Sequence, residues 1–450
     1  MDLVIYKRNP YDHVLFSHGA LDNTWRQTVE AAVEAGIPLD EANLAERDLP
    51  GLVAPGISFR KTNFVSSNLH RADLRRADLH EAQLGGTDLD WASLVEANLT
   101  GAFLGGADLS YAQLQGSILH RANLTGAVMT GATLGRANLS EAILKNLNLS
   151  GFDLTGIDLR GADLSGANLS RAQLVQADLE GANLEGALLG GCDLTEANLR
   201  GVRARHACLA GACLQGSVLT GADLSRADLS GAWLSGANLR SVNFAQACLR
   251  WCVMPDVVLA QANLTGADLS RAELSGAQFS QASPSGGVIR ATLEGACFDE
   301  ARLFEANFSR LDLSRVSFRS AHLVRANLGQ CRAHEACFNH ARMSAAVMNR
   351  IHLNRADLHR VDLRRADLRD ADLSMAQLGE ADLKGADLAR ANLRRADLTR
   401  ANLGMANLPG VNFREARLAE AYLGDANTAG AVFEGAFFSA TEMQRREASS

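Results

Sequence analysis

Residues 162–181 read ADLSGANLSRAQLVQADLEG, a five-residue pattern of the form Ala-Asn/Asp-Leu-x-x repeated without a break. The pattern continues nearly uninterrupted from about residue 57 to the end of the sequence, as in 72–76 (ADLRR) and 396–400 (ADLTR). The central apolar residue keeps one phase from Phe59 through Phe279. A period of five fits neither an α-helix nor the alternation of a plain strand. The repeat therefore has to be understood before any local motif.

Ala and Leu lie two residues apart within each repeat. In extended chain both side chains point to one side, and the Asn or Asp between them points to the other. Four such walls would close a square coil of about twenty residues, and successive coils would pair at the ~4.8 Å spacing of hydrogen-bonded strands. An aromatic content of only 5% suits a narrow interior. Phe298, Phe318 and Phe338 are spaced by twenty, so we expect their rings to lie directly above one another.

These repeats resemble those of the pentapeptide-repeat family, whose members fold as a right-handed four-sided (quadrilateral) parallel β-helix. The resemblance extends over most of the chain. Leucine-rich and hexapeptide repeats do not compete with it, because they need longer periods. It implies an all-β solenoid of about twenty coils, which would form a rod roughly 95 Å long at ~4.8 Å per coil. A small α+β cap would precede this β-solenoid.

The first 36 residues lack the regular repeat. Segments 3–6 and 13–16 look like short strands around a turn at 9–10, and the capping box at 24–27 begins a helix that ends at Gly36. The buried stripe of that helix is predicted to be Trp25, Val29, Ala32 and Val33. An open first coil would expose apolar side chains and unpaired strand edges, so we predict that this region is a cap. A recognition module is the alternative.

The phase of the central residue slips once along the chain. Segment 283–287 reads SPSGG, and the next centres, Leu293 and Phe298, stand one residue short of the earlier register. Proline cannot donate to a central ladder, and paired glycines suit a turn. We interpret 283–290 as a loop or distorted face, with the deletion of one residue as the alternative. The predicted division is 1–36 N-terminal cap, 37–282 first repeat segment, 283–290 loop or register break, 291–438 second repeat segment, and 439–450 C-terminal tail.

The composition indicates a soluble protein. With 450 residues, 47% apolar and 21% charged, the chain has ample material for one long core. No basic region followed by an apolar run opens the sequence, and no stretch approaches the ~18 apolar residues of a membrane span. We therefore expect a bacterial cytoplasmic protein that has no contact with a membrane.

The eight cysteines fall into two classes by their position in the repeat. Cys192, Cys252 and Cys331 occupy the inward Ala position, where a small apolar thiol is an ordinary substitute. The other five occupy the outward position: Cys208, Cys213, Cys248, Cys297 and Cys337. No two cysteines are twenty residues apart, so no pair is stacked on neighbouring coils. We expect free thiols in a reducing compartment.

The sequence contains no pattern typical of an enzyme. It has no P-loop, dinucleotide fingerprint or nucleophile elbow, and its many Asp residues follow from the repeat. Segment 331–340 has the zinc-like spacing Cys-x2-His-x2-Cys-x2-His, yet Cys331 is inward while His334, Cys337 and His340 are outward. Side chains pointing to different sides cannot form a tetrahedral site. We expect no catalytic residue, no metal and no cofactor.

The charge of the repeats bears on a possible role as a ligand of topoisomerases. Members of the pentapeptide-repeat family that protect or inhibit DNA gyrase resemble duplex DNA through a strongly acidic surface. Here residues 57–281 contain 17 basic and 21 acidic residues, and 282–439 contain 21 and 19. These mild balances, with Arg interleaved among Asp, predict neither a good imitation of phosphate nor a nucleic-acid-binding surface. Interleaved charges that keep the protein soluble are the simpler interpretation.

One outward surface departs from the polar pattern. The Asn/Asp position becomes apolar at three residues spaced by twenty, namely Cys213, Trp233 and Val253. Neighbouring faces carry Cys208, Cys248, Val218 and Val258, with Trp251 nearby. A continuous apolar patch on a polar solenoid predicts a surface for a partner protein or a second copy. An apolar ladder that only supports folding, or a segment that covers the patch, is the alternative.

The resulting hypothesis is a non-enzymatic, rod-like scaffold for protein–protein interaction, with an unidentified partner and a possible homodimer. The first alternative is a DNA-mimicking binder or modulator of DNA gyrase or topoisomerase. The second is an effector or accessory protein of a phage or bacterial secretion system, because similar repeat proteins occur in those settings. The scaffold is preferred because it makes the fewest demands on the sequence.

Overall fold

The computed structural model describes residues 3–7, 13–19, 24–285 and 287–439. The chain forms two compact units, residues 1–223 and 224–450, and each is described by itself. The first unit opens with the antiparallel strands β1 (Leu3–Tyr6) and β2 (Val14–His18), followed by helix α1 (Trp25–Glu34). The second contains one antiparallel hairpin of β3 (Ser280–Ala282) and β4 (Val288–Arg290).

The repeats of the first unit stack with a period of twenty residues. Most outward residues form a parallel bridge with the residue twenty positions later, from Asn43 with Asn63 to Arg203 with Asp223. The N–H of Leu69 donates to the carbonyl of Asp88 on the next coil at 2.7 Å. Ala and Leu of the repeat are buried almost without exception, so they form one continuous core. The predicted twenty-residue coil is therefore the geometry that the chain adopts.

A β-turn connects each wall to the next. The N–H of Ala72 donates to the carbonyl of Leu69 at 2.9 Å, and Arg71 between them has a φ of 56°. A positive φ at the second central residue is the mark of a type II turn. Gly181 occupies the same turn position with a φ of 68° and suits it because it has no Cβ. The frequent Gly at this position of the repeat thus has a backbone cause.

The outward Asn and Asp side chains stabilise the turns and link the coils. The Oδ1 of Asn68 accepts the N–H of His70 at 3.0 Å, which is the hydrogen bond of an Asx turn. Between coils, the amide of Asn98 donates to Oδ1 of Asp78 at 2.9 Å. These bonds explain the alternation of Asn and Asp without any catalytic role.

The second unit repeats the twenty-residue stacking around an aromatic core. Phe318 lies parallel to Phe298 and Phe338, with ring centroids 5.1 and 5.0 Å apart. Phe308 meets Phe318 edge to face at 5.5 Å and stacks on Phe279 at 4.4 Å. The expected ring column is therefore confirmed, and a second column stands beside it.

The β3–β4 hairpin explains the phase slip. Outward residues on either side of it pair 29 residues apart instead of twenty, as Gln278 does with Asn307. Nine extra residues are one short of two repeats, so the register returns one residue early. The irregular segment begins at Ser280 and forms a paired hairpin, whereas the sequence suggested a loop or distorted face starting at 283.

The N-terminal elements contact the first coils of their unit. The carbonyl of Tyr6 accepts the N–H of Asn43 at 2.8 Å, and Oε1 of Glu30 accepts the N–H of Val53 at 3.1 Å. Nη1 of Arg26 donates to the carbonyl of Pro50 at 3.1 Å. The bonds to Tyr6 and Glu30 satisfy the outward N–H groups of Asn43 and Val53, for which no preceding coil supplies a carbonyl.

The predicted N-terminal strands and helix are present, with bounds that differ in detail. The second strand extends to His18, and the predicted capping box between Thr24 and Gln27 is present, although the helix ends at Glu34. Val29 and Ala32 are buried, as expected, whereas Trp25 and Val33 are only half-buried. Trp25 instead lies under the guanidinium of Arg47, 4.2 Å from its ring centroid. The predicted turn at 9–10 and most of the tail, 440–450, lie outside the described residues.

Among the described residues, no helix combines the length and the apolar character that crossing a membrane requires.

Candidate interaction surface

A column of outward residues in the second unit carries the most unusual side chains, and we call it column A. Parallel bridges connect its members from one coil to the next. Column A consists of Trp233, Val253, Glu273, Arg302, His322 and Arg342. Its upper end is apolar and its lower end is basic.

The apolar end contains two exposed indoles. Trp233 is 53% exposed and pairs with the half-buried Val253 below it. Trp251, at the adjoining turn, is 55% exposed, and the guanidinium of Arg271 lies 4.8 Å from its ring centroid. Large apolar area therefore faces solvent at a position where the repeat normally places Asn, Asp or Gly.

The eight residues predicted for the patch are divided between the two units. Trp233, Trp251 and Val253, together with Val258 and Cys248, belong to the second unit. Cys208, Cys213 and Val218 belong to the first, where Val218 is 37% exposed and both thiols are half-buried. The structure thus brings the tryptophans and Val253 together on one surface of the second unit.

Val258 lies beside the hairpin. It is 41% exposed and lines a recess of about 200 Å³ together with Pro284 and Ile289 of the hairpin. The hairpin therefore lies beside one edge of the predicted patch, at Val258. This position agrees for that edge with the alternative in which a segment covers the patch. The two tryptophans do not line this recess.

Below the tryptophans, the surface of column A opens into a groove of about 970 Å³, which we call the basic groove. Residues of column A form its floor and residues of the neighbouring turns form its side. The side chains that matter here are Trp251, Val253, Arg302, His322, His340 and Arg342. The basic residues were absent from the predicted site. Their spacing of twenty from 302 to 342 was a usable signal, because the same spacing identified the stacked phenylalanines.

The basic groove lies where a ladder of ion pairs is interrupted. At the adjoining turn position, Arg271 pairs with Glu300 at 2.9 Å, and Arg360 pairs with Glu380 at 2.8 Å. Between these two pairs stand Ser320 and His340. A short Ser in place of a long paired side chain leaves the neighbouring column uncovered.

Three arginines and two glutamates line the groove, so it carries a small excess of positive charge. Arg302 lies 3.6 Å from Glu273, and Arg342 forms no ion pair within the described part of the chain. His322 stands between them, and burial together with the charges of Arg342 and Arg302 lowers the pKa of its imidazole. The charge of Arg302 is therefore partly compensated by Glu273, and the excess positive charge lies at Arg342.

Elsewhere the outward carboxylates are occupied by arginines two residues on. Arg369 makes a bidentate pair with Asp367 at 2.7 Å, and Arg75 pairs with Asp73 at 2.6 Å. The hydrogen bond from each arginine is the main cause of the lowered pKa of its aspartate. This pairing neutralises the aspartates at which it occurs.

The zinc-like segment does not form a ligand cluster. Cys331 is buried, donates to the carbonyl of Phe308 at 2.9 Å, and has a pKa that burial raises to about 12. His334 instead contacts the amide of Asn354 at 2.7 Å, and His340 lies against His359. Over residues 3–7, 13–19, 24–285 and 287–439, no three His, Cys, Asp or Glu side chains are grouped to hold a metal.

Comparison with known proteins identifies the repeat. The family model described as pentapeptide repeats matches 39–80, 72–110, 107–146, 142–181, 177–216, 217–254, 256–283, 296–332, 312–350, 336–374 and 376–414. No curated protein matches the chain.

Similar solved structures include three pentapeptide-repeat or resistance proteins. Rfr23 from the cyanobacterium Cyanothece 51142 is 35% identical over 20% of this chain, which spans 63% of Rfr23, with a TM-score of 0.20. HetL from Nostoc is 28% identical over 67% of this chain and 89% of its own, with a TM-score of 0.12. QnrB1, a plasmid-mediated fluoroquinolone resistance protein, is 22% identical over 52% of this chain and 98% of its own, with a TM-score of 0.21. Because the family model matches well over half of its residues, this chain belongs to the pentapeptide-repeat family, whose members fold as right-handed quadrilateral β-helices.

Proposed function

We propose that this protein is a non-enzymatic scaffold that binds a partner protein through the surface around Trp233. The observation that carries the proposal is the pair of indoles, Trp233 and Trp251, each more than half exposed on adjoining positions of one unit. Tryptophan is enriched among the residues that dominate binding energy in protein interfaces. Exposed at the outward face, these rings add nothing to the packed core.

The family and the site chemistry support a binding role. Pentapeptide-repeat proteins are generally structural or interaction proteins rather than enzymes. The pKa values of Asp73 and Asp367 are lowered mainly by the hydrogen bonds from their own arginine partners. Catalysis requires convergent groups in a water-excluding site, and paired carboxylates along an open surface do not supply one.

Binding to DNA gyrase is a weaker candidate for this chain. A DNA mimic needs an acidic surface, but here arginines neutralise outward aspartates and column A carries uncompensated arginine. A role beside a phage or secretion system has no specific support in the geometry. We also place the protein in the cytoplasm, a proposal supported by its eight free cysteines.

We further propose that the repeats make about twenty coils, at twenty residues per coil and ~4.8 Å per coil, and that the N-terminal elements cap the first of them. The bonds from Tyr6 and Glu30 to first-coil N–H groups support the cap, because an uncapped end would leave those donors without a protein partner. An additional recognition role for this region is compatible with these bonds.

The test of the scaffold is affinity capture from the native host with wild type and Trp233→Glu, followed by mass spectrometry. Ile118→Glu is the matched control, since Ile118 is also outward and 43% exposed but lies in the first unit. We expect a partner that wild type and Ile118→Glu retain and Trp233→Glu loses, with equal melting temperatures for all three. Sedimentation of the purified variants tests whether the partner is a second copy.

A partner captured equally by all three proteins would contradict the assignment to this surface. Loss of binding together with a lowered melting temperature would assign Trp233 to folding. Gyrase subunits lost only from the Trp233→Glu sample would support the topoisomerase alternative.

A further inference from the structure

The basic groove has a chemical polarity that the scaffold proposal does not explain. Its upper end is lined by Trp251 and Val253, and its floor then passes through Arg302, His322 and Arg342. Bridged neighbours in a column stand ~4.8 Å apart, so these basic rungs lie on three consecutive coils. Arg302 and Arg342 flank His322, so two guanidinium groups stand two coil spacings apart along the groove.

The surrounding protein compensates this charge only in part. Glu300 is already bound by two nitrogens of Arg271, at 2.9 and 3.1 Å, and Glu273 reaches Arg302 only at 3.6 Å. At the turn beside His322 the ladder holds Ser320, which is too short to reach across. The next acid in the column, Asp362, is held by both ends of the Arg364 guanidinium. The charge of Arg342 reaches Asp362 without an ion pair between the two in the described residues, so its guanidinium still has donors for an external anion.

We propose that the basic groove binds an acidic, extended segment of a partner protein. An apolar residue of the segment lies against Trp251 and Val253, and its carboxylates pair with Arg302 and Arg342. This inference rests on the proposed scaffold function and names the chemistry of the partner. Arginine is suited to this role because its planar guanidinium binds a carboxylate through two hydrogen bonds.

The dimensions of the groove fit such a segment. Four coil spacings separate Val253 from Arg342, which is roughly 19 Å at ~4.8 Å per coil. An extended chain advances ~3.3 Å per residue, so about six residues span this length. Arg302 and Arg342 are two spacings apart, about 10 Å. In extended chain, side chains two positions apart share a face at ~6.6 Å and those four positions apart at ~13 Å, and the long arginine side chains can reach either pair. A volume of about 970 Å³ is consistent with a short peptide.

Charge and shape favour a peptide over a nucleic acid. Glu273 and Glu300 line the upper half of the groove and would repel a continuous phosphate backbone. Nucleic-acid surfaces also need a longer basic track, because each phosphate along the strand carries a charge. A segment that is apolar at one end and acidic at the other meets the groove without this conflict.

The test begins with a displayed library of random heptapeptides selected on the full-length protein. We expect enrichment of sequences with an aromatic or aliphatic residue followed by two acids that are two or four positions apart and so share one face of the extended peptide. A fluorescein-labelled copy of the most enriched peptide is then titrated by anisotropy against wild type, Arg302→Gln and Arg342→Gln. Each variant should weaken binding about tenfold, the effect of losing one charged hydrogen-bonded pair at a partly solvated site.

Arg332→Gln is the matched control. Arg332 is also exposed and outward, but it lies in a different column, between Asp312 and His352. Its substitution should change the peptide's dissociation constant less than twofold. Replacing both acids of the peptide by glutamine should weaken binding at least as much as either groove variant does. Raising the salt concentration should weaken binding to wild type more than binding to either variant.

Three results would overturn the inference: no enrichment of acidic peptides, equal binding to wild type and Arg342→Gln, or displacement of the peptide by a twelve-residue oligothymidylate at equal concentration. The last would assign the groove to nucleic acid. The proposed function is judged separately by Trp233→Glu. A host partner lost with Trp233→Glu but retained by Arg302→Gln and Arg342→Gln would refute the groove and leave the scaffold standing. Peptide binding that depends on the groove arginines, with no host partner that depends on Trp233, would support the groove and refute the scaffold proposal at Trp233.

Discussion

Replacing Phe318 by alanine should destabilise the second unit by about 3–5 kcal/mol, the usual cost of truncating a buried phenylalanine. Phe318 is fully buried, stacks on Phe298 and Phe338 at 5.1 and 5.0 Å, and meets Phe308 edge to face. Each aromatic contact adds about 0.5–1.5 kcal/mol beyond burial, so the upper part of the range is expected. The narrow interior offers few neighbours that could move into the cavity.

Amide hydrogen exchange is the suitable assay, because a stacked repeat loses stability locally before it unfolds as a whole. The N–H of Phe298 donates to the carbonyl of Ser317, and the N–H at position 318 donates to that of Cys337. A loss of 3–5 kcal/mol corresponds to exchange that is faster by roughly 100-fold to several thousandfold at these amides.

Two further substitutions separate packing from other effects. Phe318→Leu restores the residue found at most central positions and should cost clearly less than alanine. Phe304→Ala removes a ring that is 42% exposed in the same unit and should change exchange little. The reasoning is refuted if Phe318→Ala accelerates exchange less than tenfold, or no more than Phe304→Ala does.

Three other predictions follow from local geometry. Gly181→Ala should lower stability by about 1 kcal/mol, seen as a lower melting temperature. The cause is the φ of 68°, which disfavours a Cβ even though no atom lies within 4 Å of the place that a Cβ would take. An unchanged melting temperature would contradict the turn assignment. Arg342→Gln should raise the pKa of His322, since the arginine is one of the charges that lower it after burial, and an NMR titration that shows no upward shift would argue against the stacked column. Arg75→Gln should reduce stability at neutral pH and make no difference in strong acid, because the pKa of Asp73 is lowered in the folded state. The ion pair therefore stabilises the fold above the unfolded pKa of about 3.9, and this stabilisation disappears as the pH falls through the folded pKa of Asp73. A difference in denaturation that persists below the folded pKa would refute the ion pair as its source.

Most of the local structure could be predicted from the sequence. The inward and outward positions follow from a five-residue period, and the structure buries Cys331 and leaves Cys337 half-exposed as that period requires. The ring column at Phe318 followed from the same arithmetic. The exposure of Trp233 and Trp251 was also foreseen, whereas Trp25 was expected in the helix core and lies half-buried under Arg47. Helical periodicity cannot show which loop will cover one turn of a short helix.

The sequence by itself determined the repeat, the alternation of core and surface residues, and the place where the register breaks. Only the tertiary structure decided which outward residues share a surface. The hairpin between Ser280 and Arg290 changes the pairing distance from twenty to 29 residues, so Glu273 is joined to Arg302 and the tryptophans come to stand above a basic groove. The physical reason is that a column is built by hydrogen bonds between coils, and the length of chain between two bonded rungs is set by how an insertion folds. A period along the chain carries no record of that folding.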